Sequence, residues 1–368
     1  MKDEARPPTL KRVVGGLHLS SFILSSFIFH PCSSILIFMK PVAITLGDPA
    51  GIGAEVVLKA LGDLNPELPV WLFGSWEQAS RTAGGRELET FERATPESLP
   101  EGGTRVFIDV GGASSDAIAP GNVSAAAGRV ALDSIHAALA SVRRGQCEAL
   151  VTAPIHKGAI AAAGSHFPGH TELLAEECGL TRYGRDYAMY FDSPKLRTVL
   201  LSVHVPLSEA ISSIDAGRIA ELAQLTDREY ARLYGARPRI AVAGLNPHAG
   251  EDGRFGSDEK VIARGVAAAR AEGLEVSGPH APDTVYLSAS RGRYDVVMSM
   301  YHDQGLIAVK TLDFEHSVNI TLGLPFLRVS VDHGTAFDIA GKNIADSSPM
   351  RYAIEWTRDH AYRNDDGP

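Results

Sequence analysis

The 368-residue chain has only three cysteines, Cys32, Cys147 and Cys178, and none of them stands in a CxxC or other metal-ligand spacing. That scarcity excludes a disulfide framework and fits a reducing compartment. No run of five or more like charges occurs, and 35 Lys plus Arg against 44 Asp plus Glu leave a net charge of −9. Bulk attraction to nucleic acid or to an anionic membrane is therefore not expected, although a local basic pocket for a small phosphate is compatible with this balance. No uninterrupted apolar run is long enough to span a bilayer. The 36 glycines and 21 prolines fall singly between apolar runs, which excludes collagen-like and low-complexity chains.

What is present first is an unusual N-terminus. Residues 1–38 are polar and basic at the start. The stretch from Leu17 to Phe38 is then apolar but broken by His18, His30, Pro31, Cys32 and several serines. Lys11 and Arg12 followed by Phe22–Phe29 make a poor signal sequence with no A-x-A cleavage site. Met39 is followed directly by a clean strand pattern, Pro41–Leu46. The reading preferred is that translation starts at Met39 and that residues 1–38 are an upstream read-through or disordered extension; a targeting segment is the alternative. The expected location is cytoplasmic.

From Met39 onward, strand and helix patterns alternate. Short β-rich apolar runs occur at Val42–Leu46, Val70–Phe73, Arg105–Val110, Ala149–Thr152, Ala188–Phe191, Thr198–Val203, Ile240–Ala243, Val296–Met300 and Phe326–Val331. Between them lie stretches at helical spacing such as Ala54–Leu61, Ala125–Arg143, Thr171–Cys178, Arg218–Tyr234 and Asp258–Glu272. This order predicts an α/β protein with a largely parallel sheet and no flexible linker.

In such folds functional groups gather just beyond the carboxyl ends of strands. His204, His248 and His302 each follow an apolar run in that position, with Asp303 beside the last. Three imidazoles at one sheet edge suit a catalytic divalent metal with an open position for substrate. The competing reading is that each histidine merely caps a strand. Gly47–Gly53 is a strand-to-helix turn able to hold an anion, but it is neither G-x-G-x-x-G nor a Walker A, and such a loop taken alone is more often a tight βα turn than a ligand site. Lys310, Asn319 and Arg328 bring two cations and an amide together in sequence, either as a phosphate grip or as a solvated surface set.

The densest polar segment, Val331–Asp346, has the composition of a loop that wraps a ligand. It resembles the His-Gly-Ser/Thr-Ala-x-Asp-Ile-Ala-Gly-Lys cofactor loop of the isocitrate and isopropylmalate dehydrogenases. Seven further segments occur in order: Ile44–Gly53, Thr152–Lys157, Gly169–Glu172, Gly244–Gly250, Pro282–Thr284, Tyr301–Gly305 and Val318–Pro325. As a set they resemble the 4-hydroxythreonine-4-phosphate dehydrogenase family from Met39 to the C-terminus.

The resemblance implies a two-lobed α/β/α, isocitrate/isopropylmalate dehydrogenase-like fold with a cleft between lobes. Residues 39–168 plus 325–368 would form one lobe and 169–324 the other. It implies metal ligands at His204, His248 and His302, with zinc preferred and magnesium or cobalt as alternatives. Substrate contacts would come from His170, Thr171, Lys310, Asn319 and Arg328. NAD or NADP would contact His333, Gly334, Thr335, Ala336, Asp338 and Asn343. Asp283 and Asp303 are candidates for proton transfer or for orienting ligands. The implied reaction is oxidation of 4-phosphooxy-L-threonine followed by decarboxylation to 3-amino-2-oxopropyl phosphate, in pyridoxine 5'-phosphate biosynthesis, by a homodimer with its site at the interface. Alternatives are a paralogue acting on threonate or erythronate 4-phosphate or on an aromatic cis-dihydrodiol. Outside the family the alternative is a zinc hydrolase, which leaves the 331–346 loop unexplained.

A chain beginning at Met39 is expected to match the full chain in melting temperature and turnover. A large loss of either on side-by-side measurement would give residues 1–38 a role.

Overall fold

The computed structural model describes residues 40–82, 85–112 and 117–361. The expectations for residues 1–38 lie outside them. Among the described residues twelve strands form one sheet: β1 (Val42–Thr45), β2 (Val70–Gly74), β3 (Glu92–Ala94), β4 (Arg105–Asp109), β5 (Ala149–Thr152), β6 (Ala188–Asp192), β7 (Arg197–Leu200), β8 (Ile240–Ala243), β9 (Val276–His280), β10 (Val296–Ser299), β11 (Val318–Leu322) and β12 (Leu327–Val331). Their order is β3-β4-β2-β1-β5-β12-β11-β6-β7-β10-β8-β9. One half is thus built from β1–β5 with β12, and the other from β6–β11.

Pairings are parallel except at β12/β11, β11/β6 and β6/β7, which are antiparallel. Three reversals leave the two parallel blocks running in opposite directions, so their carboxyl ends lie at opposite edges of the sheet. The single functional edge expected from sequence is therefore two edges.

Successive side chains of a strand point to opposite faces, and both faces here are covered. Val42 and Ile44, Val70 and Leu72, Val296 and Met298, and Leu327, Val329 and Val331 join one apolar cluster that includes helices Gly53–Asp63, Ala216–Tyr234, Glu259–Ala271 and Ser348–Ala361. That cover runs without a break across both halves. On the other face it splits in two. Trp71, Phe73, Ile108 and Leu150 pack under helices Ala125–Arg143 and His170–Glu177 in one half. Met189, Phe191, Leu200 and Val297 pack under Pro282–Ser290 and His302–Leu312 in the other.

The helices carry ordinary start and stop signals. Ser124 Oγ accepts from Ala127 N–H at 3.1 Å, and Asp215 Oδ1 accepts from the N–H groups of Gly217 and Arg218. Helix Ala216–Tyr234 ends on Gly235, whose φ of 69° is left-handed. Among the described residues no helix is long and apolar enough to cross a membrane.

Helix Ala125–Arg143 packs so tightly on the Lys157–Ala162 helix that a Cβ on Gly128 would lie 2.0 Å from the Ala159 carbonyl oxygen. Alanine normally beats glycine within a helix by about 1 kcal/mol. Here Gly128→Ala is expected to destabilise by about 1–3 kcal/mol through overpacking, whereas Gly62→Ala, whose nearest neighbour is a flexible Glu87 oxygen at 3.5 Å, is expected to be neutral or stabilising. Equal melting temperatures for the two variants would contradict this packing.

Candidate active site

Where the second face's apolar cover divides, the strands turn polar. Arg328 and Ser330 on β12, Asn319 and Thr321 on β11 and Thr152 at the end of β5 replace the hydrophobic side chains found on either side. Most of them line a cavity of about 250 Å³, together with residues of helices His170–Glu177 and His302–Leu312.

Arg328 forms its floor. It is 2% exposed, donates to Thr152 Oγ1 at 2.7 Å and to Thr321 Oγ1 at 3.1 Å, and its buried Nε has no partner. Burial pushes its pKa down to about 10, partly opposed by the charge of Glu172. His170 begins the covering helix. Its buried Nε2 has no partner, and burial together with the nearby Arg328 charge holds its pKa well below the usual histidine range, so the imidazole is neutral. Thr171 is buried beside it.

At one end of the cavity stand two histidines. His204 follows β7 with a left-handed φ of 25°, and His302 opens the helix after β10. Their ring centroids are 5.8 Å apart. Each Nδ1 is engaged by a carboxylate, Glu172 Oε1 at 3.2 Å for His204 and Asp303 Oδ1 at 2.7 Å for His302, which leaves Nε2 as the nitrogen for a ligand. Burial works to raise the Glu172 carboxyl, but its bond to His204 and the neighbouring positive charges bring it below the ordinary value.

His248 does not join them. It sits after β8 on a turn in which residues 248–252 all have positive φ, and its ring lies 6.1 Å from that of Phe255, away from the cavity lining. Among the described residues no three His, Cys, Asp or Glu side chains gather closely enough to hold an ion. One chain thus presents two of the three expected ligands, and the set does not fit a metal by itself.

At the cavity's other end Lys310 Nζ lies 3.2 Å from Asp332 Oδ1 and donates to the Asp332 carbonyl at 3.0 Å. Burial raises the Asp332 carboxyl, against the charge and hydrogen bond of Lys310. Asp332 Oδ2, Asn319 Oδ1, His333 Nε2 and Glu172 Oε2 are buried without a partner. Buried polar atoms are nearly always bonded; their concentration here marks ligand-facing surface.

Of the expected cofactor residues, His333 and Gly334 line this cavity, while Asn343 lines a separate one of about 160 Å³ beside Pro49 and Gly51. Ala336 and Asn343 are left-handed at φ 44° and 59°. Thr335, with its buried side chain, Ala336 and Asp338 lie on the stretch between. The Gly47–Gly53 turn holds this loop: Ile52 N–H donates to the Thr335 carbonyl at 3.1 Å. Asp283 is elsewhere, in an apolar groove of about 520 Å³ shared with Asp303, Leu287 and Ile307.

Sequence reading missed Glu172, Asp332 and Thr152. The first two stand next to flagged residues, and only their unpaired flagged neighbours, an imidazole and a lysine, hint that a carboxylate is needed.

An unpaired buried guanidinium has its folded pKa below the unfolded 12.5. Its charged form is penalised below about pH 10 and the penalty is relieved as pH rises through that value. Arg328→Met is therefore expected to keep or raise the melting temperature at pH 7. If Arg328 binds an anion, inorganic phosphate is expected to raise the melting temperature of the parent chain and not that of the variant. A variant that melts lower and still responds to phosphate would remove Arg328 from anion binding.

Residues 71–357 match the family model described as pyridoxal phosphate biosynthetic protein PdxA. A 4-hydroxythreonine-4-phosphate dehydrogenase of Beijerinckia indica is 45% identical over 326 residues, covering 86% of this chain and 94% of its own. A D-threonate 4-phosphate dehydrogenase of Salmonella typhimurium is 43% identical, covering 86% and 97%. The crystal structure of 4-hydroxythreonine-4-phosphate dehydrogenase from Klebsiella pneumoniae superposes with a TM-score of 0.75 at 40% identity, covering 88% of this chain and 99% of that one. Agreement of this extent, over the strands and helices that build the cavity, establishes that the chain belongs to the PdxA family.

Proposed function

We propose that the protein is an NAD- or NADP-linked dehydrogenase that oxidises 4-phosphooxy-L-threonine to 2-amino-3-oxo-4-phosphooxybutanoate, which loses carbon dioxide to give 3-amino-2-oxopropyl phosphate, a step of pyridoxine 5'-phosphate biosynthesis. The observation that carries it is Arg328, a buried cation with two hydroxyl partners facing the cavity that holds Lys310 and Asn319. An anionic substrate supplies the charge this site lacks. The relatives bearing the 4-hydroxythreonine-4-phosphate and D-threonate 4-phosphate names support a phosphorylated hydroxy acid.

Arg328, Lys310 and Asn319 grip the phosphate, and His170 and Thr171 fix the chain of the substrate beside them. Binding energy from that remote group orients the reacting carbon. His204 and His302, turned by Glu172 and Asp303, face the hydroxyl to be oxidised. A divalent ion, zinc in preference to magnesium or cobalt, would supply polarisation of that hydroxyl, and the nicotinamide would accept the hydride. We place its third ligand at His248 of the partner subunit in a homodimer. The groove containing Tyr286, with Leu287 and Ile307 50% and 67% exposed, is an apolar surface suited to that contact. Asp283, in the same groove, is assigned proton transfer only within the dimer.

The test is kcat/KM on 4-phosphooxy-L-threonine, D-threonate 4-phosphate and unphosphorylated 4-hydroxythreonine with each nucleotide. Lys310→Ala or Arg328→Ala is expected to lose roughly ten- to hundredfold on phosphorylated substrate. Almost nothing should be lost on the unphosphorylated one. Equal losses on both would sink the phosphate assignment and favour a dihydrodiol-like substrate. Separately, His204→Ala, His248→Ala and His302→Ala should each lower bound metal and abolish turnover; a variant with full metal and normal kcat strikes that histidine from the set.

A further inference from the structure

The loop from Asp332 to Ser347 links β12 to the final helix through turns alone, and it carries the residues assigned above to the dinucleotide. Both of its ends are tied to one short stretch of chain. Near the start, the Thr335 carbonyl receives Ile52 N–H, and a Cβ on Gly51 would lie 2.9 Å from that same oxygen, so only glycine lets the loop approach this closely. Near the end, the buried Glu55 accepts from Ala345 N–H at 2.8 Å with the same Oε1 that receives Lys59 Nζ at 2.8 Å. Lys59 Nζ also donates to the carbonyls of Asn343, at 3.2 Å, and Ala345, at 3.1 Å. Glu55 and Lys59 are one turn apart on helix Gly53–Asp63, whose apolar face is locked into the continuous core.

We propose that Glu55 and Lys59 are positioning residues for the nicotinamide dinucleotide: they fasten the far end of the 332–347 loop to the first helix, so that its binding groups are ordered before the nucleotide arrives. The geometry also gives the Gly47–Gly53 turn its use, as the seat of that loop. The Lys59 ammonium donates to the carbonyl of Asn343, whose φ of 59° is left-handed. Preorganisation of this kind acts on affinity by removing an ordering cost from the binding step. It acts chiefly on the nucleotide, because the phosphate grip meets the loop only at its start, through the Lys310–Asp332 pair, whereas Glu55 and Lys59 hold the far end.

The proposal rests on the loop's assignment to the cofactor, and the experiment separates the two. Dissociation constants of the full chain are measured for NADH, NADPH and inorganic phosphate, with amide hydrogen exchange over residues 335–346. Lys59→Met, which keeps the aliphatic stem, is expected to weaken nucleotide binding about three- to tenfold, to speed exchange in the loop and to leave phosphate affinity unchanged. Lys59→Arg, which keeps charge and donors, should restore both loop protection and nucleotide affinity. Nucleotide affinity indifferent to Lys59→Met overturns the clamp, as does an equal loss of phosphate affinity, which would signal general disruption. A parent chain that binds neither nucleotide overturns the loop's assignment and the clamp with it.

Discussion

The guanidinium of Arg328 lies inside the protein, held by two threonine hydroxyls, in a strand whose other residues are mostly aliphatic. Removing a charge from water costs several kcal/mol even after the surroundings relax, and hydroxyls offer dipoles but no countercharge. The fold has to accommodate that residue before it can do anything else. Its neighbours on the same face, Asn319, Ser330, Thr321 and Thr152, are polar, and the apolar cover stops on either side of them. The opposite face keeps one continuous cluster running under both halves. Stability is thus concentrated on one side of the sheet, and the other side is free to open a cavity.

Strand direction decides what borders that cavity. Because β11 and β6 interpose three antiparallel pairings, β5 and β12 finish at one edge and β7, β10 and β8 at the other. Two sets of strand-end loops therefore reach the site from opposite ends, Asp332 and His333 from one and His204 and His302 from the other. Helix His302–Leu312 packs along β7 and β10 and spans the distance, with His302 at one end and Lys310 near the other. A sheet parallel throughout would have put all these groups on one rim.

The elements themselves were legible because fully buried strands read as short unbroken apolar runs, and all nine such runs are strands. β3, β9 and β11 escaped. β3 is mostly exposed, β9 contains Gly278 and Pro279, and β11 carries Asn319 and Thr321 on its cavity face, so none shows the apolar signature. The rule of strand ends places His204, His248 and His302 at one edge, and in the structure all three follow parallel strands there, but edge position does not fix distance. Across that edge the strands run β7-β10-β8, so His248 leaves from the far one, and its left-handed turn directs the chain away. The rule has no means of finding Arg328, which sits in the body of a strand; there the sign is a charged residue inside an otherwise apolar run, Phe326–Val331. Glu172 and Asp332 show no periodicity of their own, because their partners His204 and Lys310 lie 32 and 22 residues away in sequence.

Those two carboxylates settle the electrostatics. The cavity has cations at Lys310 and Arg328 and anions at Asp332 and Glu172, which nominally cancel. Geometry divides them unevenly: Asp332 is bound to Lys310, and Glu172 accepts a hydrogen bond from His204. Glu172 does act on Arg328 through space, yet burial still outweighs it and leaves the arginine's pKa depressed. The residual charge is positive and it is localised at the floor, out of reach of bulk counterions and little screened by salt. A neutral ligand would leave that charge as it is, whereas under the proposed function a phosphate would offset it, so part of the binding energy would be relief of the burial penalty on Arg328. Evolution toward greater stability at this position would run against binding, since the substitution that best suits the sheet is the one that cannot hold an anion.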